Sequence, residues 1–330
     1  MGLNKVQQAA KELIKSDAQF IQSLFLIHKE DKRMRNNYIT MFLPYLGLFT
    51  DGSEQWARKL DIVAHTFTGE EKEYYKTMRL GIKIFDSDYN EFNDQLKKRF
   101  KESDDYFGSK HNFWDMLRGF YFNIGVDTYN GKYCGNTLLC SLYTPFYKIG
   151  EMNGDKIRKL SEVAGKLTVD FNSKVKKIKH KDLSKLTYKD FHFNKSKFIK
   201  LDNYDGLILF SILCVINYVI EFINVFFVDE IPQKLKYAYI IYYYLCVFLH
   251  DLNEKSNLNI MIDKSLYNPK FRNCLAHYGL GQFINESELI NNDLLKGLTQ
   301  KAFNLDYEET KKKIYSILRD VVSQIESIIF

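Results

Sequence analysis

The chain has 330 residues, of which 45% are apolar and 27% charged, which excludes a disordered protein and leaves room for one large domain or two ordinary ones. Four prolines and 17 glycines supply little turn material, which excludes a sandwich or barrel of many short strands and points to an all-α protein. The net charge of +6 is unevenly placed: between Asn172 and Leu201 stand ten lysines and no arginine, against Asp182 and Asp190 alone. Such a segment suits a phosphate backbone or an anionic membrane surface, and equally a solvated linker.

The opening MGLNKVQQAAKELIKS is polar and lacks the apolar core of an export signal, and Val6 stands where an acylation motif needs Ser or Thr. Val6, Ala9, Ala10, Leu13 and Ile14 trace one helical face that Phe20, Leu24 and Ile27 continue. Periodicity predicts further helices at 36–49, 53–66, 70–84, 88–101, 111–124, 135–148 and 155–171, with Asp51-Gly52-Ser53 and Asn153-Gly154-Asp155 as turn-and-cap signals. Residues 1–171 therefore read as a helical domain. The lysine-rich segment 172–204 follows as a connection. Its Lys174, Lys176, Lys177, Lys179 and Lys181 are candidate RNA contacts, while Tyr188, Phe191, Phe193 and Phe198 suit packing better than base stacking.

Residues 206–228 form an apolar run long enough to span a bilayer, but Asn217, Glu221 and Asn224 interrupt it. The next apolar segment, 238–249, is too short to span and contains three consecutive tyrosines. Both read as buried helices of a core or subunit interface, with a membrane span as the lesser alternative; a buried Glu221 then needs a partner. Ile231-Pro232 separates these two helices. Asn268-Pro269 opens a third and Gly279-Leu280-Gly281 closes it, and a fourth runs from about Tyr307 to Phe330. Residues 205–330 thus read as a four-helix bundle.

The third of these helices contains Arg272-Asn273-Cys274-Leu275-Ala276-His277. Here the sequence resembles the HEPN superfamily, whose ribonuclease members carry Arg, four to six residues, then His, often with a polar residue directly after the arginine. Asn273 fills that polar place, and the four-helix reading of 205–330 agrees with the HEPN fold; the resemblance does not extend to the first 200 residues. On a helix, Asn273 and His277 share a face and Arg272 lies about 100° to the side, able to swing back. A histidine can move protons near neutral pH, an arginine can hold phosphoryl oxygens, and a nearby helix start adds partial positive charge. The resemblance implies metal-independent RNA cleavage by 2′-OH attack, with Arg272 and His277 catalytic and Asn273 assisting. It further implies a composite site formed by two copies of the motif across a homodimer, which the apolar helices could help to bury. It implies a toxin or abortive-infection role too, with tRNA, mRNA or rRNA as target, an antitoxin or phage-derived activator as partner, and residues 1–171 as the sensor, regulator or RNA-selecting part. A second Arg-x6-His, Arg58 to His65, has Lys59 in the polar place and is treated as coincidental, with a second, degenerate HEPN unit as the lesser alternative.

No zinc-protease, deaminase, P-loop, dinucleotide or nucleophile-elbow motif occurs, and the other histidines are too dispersed for a ligand set, so neither metal nor cofactor is expected. The cysteines at 134, 140, 214, 246 and 274 form no Cys-x-x-Cys pair, which suits a reduced, cytoplasmic protein. The rival expectations are a non-catalytic HEPN-like module that binds RNA or protein, and a membrane-associated effector using 206–228.

Overall fold

The computed structural model describes residues 2–330 apart from 36, 63, 87, 111, 113, 115–121, 152–153, 173, 176, 194–198, 202 and 281–282, and the side chains of 35 and 154–161. Most of the predicted helix 111–124, together with Lys176, Phe198 and Gly281, lies outside the described residues. In the N-terminal half the helices are α1 (Lys5–Glu30), α2 (Asn37–Lys59), α3 (Gly69–Leu80), α4 (Tyr89–Gly108), α5 (Thr137–Tyr143) and α6 (Gly154–Phe171). In the C-terminal half they are α7 (Tyr204–Asn217), α8 (Pro232–Ser256), α9 (Pro269–His277), α10 (Leu294–Phe303) and α11 (Tyr307–Ile329). The mostly helical class holds, with one correction to all-α: β1 (Ile124–Tyr129), β2 (Lys132–Asn136) and β3 (Leu186–Phe191) form an antiparallel sheet in the order β2-β1-β3. The β1–β2 hairpin turns on Asn130 and Gly131, both at positive φ as a two-residue hairpin turn requires.

The helices predicted at 36–49 and 53–66 are one helix, because the cap-type residues between them find partners inside it. Thr50 Oγ1 donates to the Leu46 carbonyl at 2.9 Å and Ser53 Oγ to the Phe49 carbonyl at 2.6 Å. Asp51 is taken by an arginine of α3. Two glycines make α2 a close-packing spine. A Cβ on Gly47 would overlap the backbone nitrogen of Arg79, and one on Gly52 would stand 2.6 Å from the Ala276 carbonyl oxygen. The ends of α3 and α9 are thereby laid against the same helix.

The apolar run predicted at 206–228 is α7 followed by a π-helical segment, Tyr218–Phe226, in which Phe222 and Phe226 stack at 5.0 Å. Tyr204–Phe226 is long and apolar enough to cross a membrane, and 94% of its most apolar window is buried inside the fold. Glu221 is half-buried; burial raises its pKa, opposed by the charges of Arg319, Lys132 and Lys181. Helix α8 is buried on nearly all sides, enclosed by α1, α7, α9 and α11. Beyond the four helices expected in 205–330 stands α10, started by Asp293, which accepts from Leu295 N at 2.8 Å and Lys296 N at 3.1 Å. Hydrophobic residues of both halves form one continuous buried cluster. All five cysteines are free and buried.

The lysine-rich segment is more than a linker. Lys181 N donates to the Phe226 carbonyl at 2.8 Å and Val228 N to the Lys179 carbonyl at 2.9 Å, which pins it along the end of the π-helical segment. Its own Ile178 and Phe193 are buried, and β3 belongs to it, whereas Tyr188 remains exposed.

Candidate functional site

The motif helix is placed by tyrosines of α8. Tyr239 OH donates to the Leu266 carbonyl at 2.9 Å and accepts from Asn268 N at 3.0 Å; Tyr242 OH donates to the Asp263 carbonyl at 2.9 Å. These bonds fasten the loop that delivers Asn268, whose Oδ1 caps α9 by accepting from Phe271 N at 3.0 Å, with Pro269 in the first turn. Phe271, Cys274, Leu275 and Ala276 bury the inner face of α9. Arg272 and His277 are left half-buried and Asn273 exposed.

The helix stops at His277. Tyr278 turns left-handed at φ 50° and Gly279 N donates to the Cys274 carbonyl at 3.0 Å. The histidine therefore lies about 12 Å along the axis from the start of the helix. This corrects the expectation of a helix N-terminus beside it; the positive charge around His277 comes from side chains. The turn is held from below by a fully buried network. Tyr278 OH donates to Asp17 Oδ2 at 2.5 Å, Gln233 Nε2 donates to Asp17 Oδ1 at 2.8 Å, and Lys236 Nζ pairs with Asp17 while standing 4.1 Å from the centre of the Tyr278 ring.

His277 itself meets Arg79 of α3, whose Nη2 lies 3.2 Å from His277 Nε2. The other end of that guanidinium pairs with the buried Asp51 carboxylate, which also accepts from Gln55 Nε2 at 2.9 Å. Burial is the first cause that lowers the His277 pKa, followed by the charges of Arg79, Arg272 and Lys83, and together they bring it to about 4. The imidazole is therefore neutral at pH 7. Arg272 lies over the rings of Tyr243 and Tyr244, with its Cζ 4.9 and 5.6 Å from their centres. Its Nε is buried without a hydrogen-bond partner among the described residues.

A cavity of about 700 Å³ opens at this end of α9, lined by Gln55, Arg58, Lys59, Asn273, His277 and Leu280. Its size is that of a small-ligand site, and its wall carries two cations, two amides and an imidazole. Asn273 and His277 thus reach a common cavity, whereas Arg272, on its tyrosine platform, is not among the residues that line it. Arg58 enters the same cavity, yet not through the Arg-x6-His spacing: His65 Nδ1 lies 2.7 Å from Asp170 Oδ1, on α6. The candidate RNA contacts Lys174, Lys177, Lys179 and Lys181 are exposed along their segment and are not among the cavity's lining residues. Lys177 pairs with Glu30.

Sequence reasoning missed Arg79, Asp51, Gln55 and Lys59. The signal for Asp51 was present but pointed to a turn, and nothing local marks Arg79. No family model matches the chain, and neither a curated protein nor a solved structure matches it. Among the described residues no group of three His, Cys, Asp or Glu side chains is arranged to hold a metal ion.

Proposed function

We propose that the chain is an endoribonuclease of HEPN type, acting in the cytoplasm as a toxin or abortive-infection effector. The observation that carries this reading is a neutral histidine and an amide on one helix face, opening into a cavity whose rim is cationic. The motif resemblance supplies the reaction class; the cavity, with Arg58 and Lys59 on its wall, supplies a place for a phosphodiester.

In this mechanism a phosphate oxygen takes over the Arg79 Nη2 donor, and the Nε2 lone pair so freed on the neutral His277 takes the proton from a ribose 2′-OH. The freed oxygen attacks the adjacent phosphorus, and the bond from phosphorus to the 5′-oxygen breaks. The products are a 2′,3′-cyclic phosphate and a 5′-OH that has received a proton from the imidazolium. Asn273 holds a phosphate oxygen or the base edge beside it. Arg272, moving off the Tyr243 face, joins Arg58 and Lys59 in stabilising the charge that builds on the equatorial oxygens. A bound phosphate anion also opposes the cations that depress His277, so its pKa rises toward the ordinary imidazole value as substrate arrives and the ring becomes a better base.

Side chains fill every role, so cleavage is expected to persist in EDTA. Purified wild type and His277→Ala, given tRNA and total RNA in EDTA, test the reading. Fragments ending in cyclic phosphate from wild type alone, with a loss of about 10²- to 10⁴-fold in the variant, would support it. Equal cleavage by both proteins, or none by either, would sink it, and the second result would return the chain to the non-catalytic binding module.

A further inference from the structure

Resting on the ribonuclease reading, we propose that Arg79, anchored by Asp51, is the residue that orients His277, so the N-terminal half completes the site within the same chain. A guanidinium has donors only. The 3.2 Å contact of Arg79 Nη2 with His277 Nε2 therefore makes Nε2 the acceptor and leaves the proton of the neutral ring on Nδ1. The opposite end of Arg79 is fixed by Asp51, itself buried between Gly47 and Gly52 on α2. Those glycines bring α2 onto the backbone of Arg79 and onto the Ala276 carbonyl, one residue before His277. Asp51, Arg79 and His277 form a chain of three charged or polar groups in which each fixes the next. An arrangement completed within one chain departs from the composite dimer site that the HEPN resemblance implies.

The charged groups acting on the ring are the cations Arg79, Lys83 and Arg272, with Arg58 and Lys59 across the cavity; the carboxylates face the cations, Asp51 on Arg79 and Asp86 on Arg272. Removing Arg79 takes away the nearest of the cations, so the histidine should protonate at higher pH and lose its fixed tautomer. Arg79→Lys keeps the charge but not the planar fork that spans Asp51 and His277, so it should hold the low midpoint and lose the fixed tautomer. Arg79→Met strands the Asp51 carboxylate, so the double variant Asp51→Asn/Arg79→Met serves as the second probe of the same change.

The test is nitrogen NMR of protein labelled in its histidine rings, with His277 assigned by comparison with His277→Gln. Wild type should carry the Nδ1–H form, and the Met variants should give a mixture of tautomers with the titration midpoint moved up. An unchanged tautomer and midpoint in the folded Met variants would overturn the proposal. In the cleavage assay Arg79→Met should lose roughly 10- to 100-fold, and mixing it with His277→Gln should restore nothing. Restored activity on mixing would mean that Arg79 serves a partner's histidine, which overturns completion in one chain. If wild type cleaves no RNA, the ribonuclease reading falls while the NMR result still decides the role of Arg79.

Discussion

A histidine held neutral by burial and by cations ties stability to pH. The unfolded chain protonates His277 near pH 6.5, whereas the folded chain resists until about pH 4. Between these values the unfolded state binds more protons, so stability is full above pH 6.5 and falls as pH drops toward 4. His277→Gln keeps the size and an acceptor but cannot titrate. Its urea midpoint at pH 5 is expected to lie closer to its own pH 7.5 value than wild type's does; an equal or larger fall in the variant would contradict the assignment. At this scale the motif residues were legible because Arg272, Asn273 and His277 lie within six positions on one helix. Arg79 was not, since it meets His277 across 198 positions and no local spacing encodes that contact.

Helix α2 decides how the elements converge. Gly52→Ala places a methyl group 2.6 Å from the Ala276 carbonyl oxygen, so α2 and α9 must separate. A cost of about 1–3 kcal/mol is expected in urea unfolding, with a loss of cleavage larger than the stability change alone explains. A variant as stable and active as wild type would show that the two helices tolerate the spread. Tyr239→Phe tests the loop that delivers α9: both the Leu266 carbonyl and Asn268 N lose their partner, at about 1–3 kcal/mol. Helices with a clean apolar stripe, such as α1 and α11, were readable from spacing. The Asp51-Gly52-Ser53 break was misread because these three residue types favour turns only when nothing else takes their side chains or needs their small size. The β1–β2 hairpin carried its own signal, Asn130-Gly131 between IGVDTY and KYCGN, which the shortage of glycine and proline masked.

Across the molecule, the buried Asp17–Lys236 pair joins α1 to α8 and, through Tyr278, to the end of the motif helix. Lys236→Met leaves Asp17 charged in the core and should cost about 3–5 kcal/mol, while Asp17→Leu/Lys236→Met should recover much of it. Thermal melts of the three proteins check this, and a double variant no better than the single one would point to the Tyr278 and Gln233 bonds as the larger contribution. Pairings of this range lie outside what composition and periodicity can disclose, because each residue alone reads as an ordinary surface charge. The long reach between Arg79 and His277 also sets an order of events during synthesis. A ribosome adding about 5–20 residues per second takes about 10–40 s to travel from one to the other. Throughout that interval the nascent chain has the arginine and lacks the histidine, so on the proposed reading it leaves the transcript and the translating ribosome uncut until its final helices are being made.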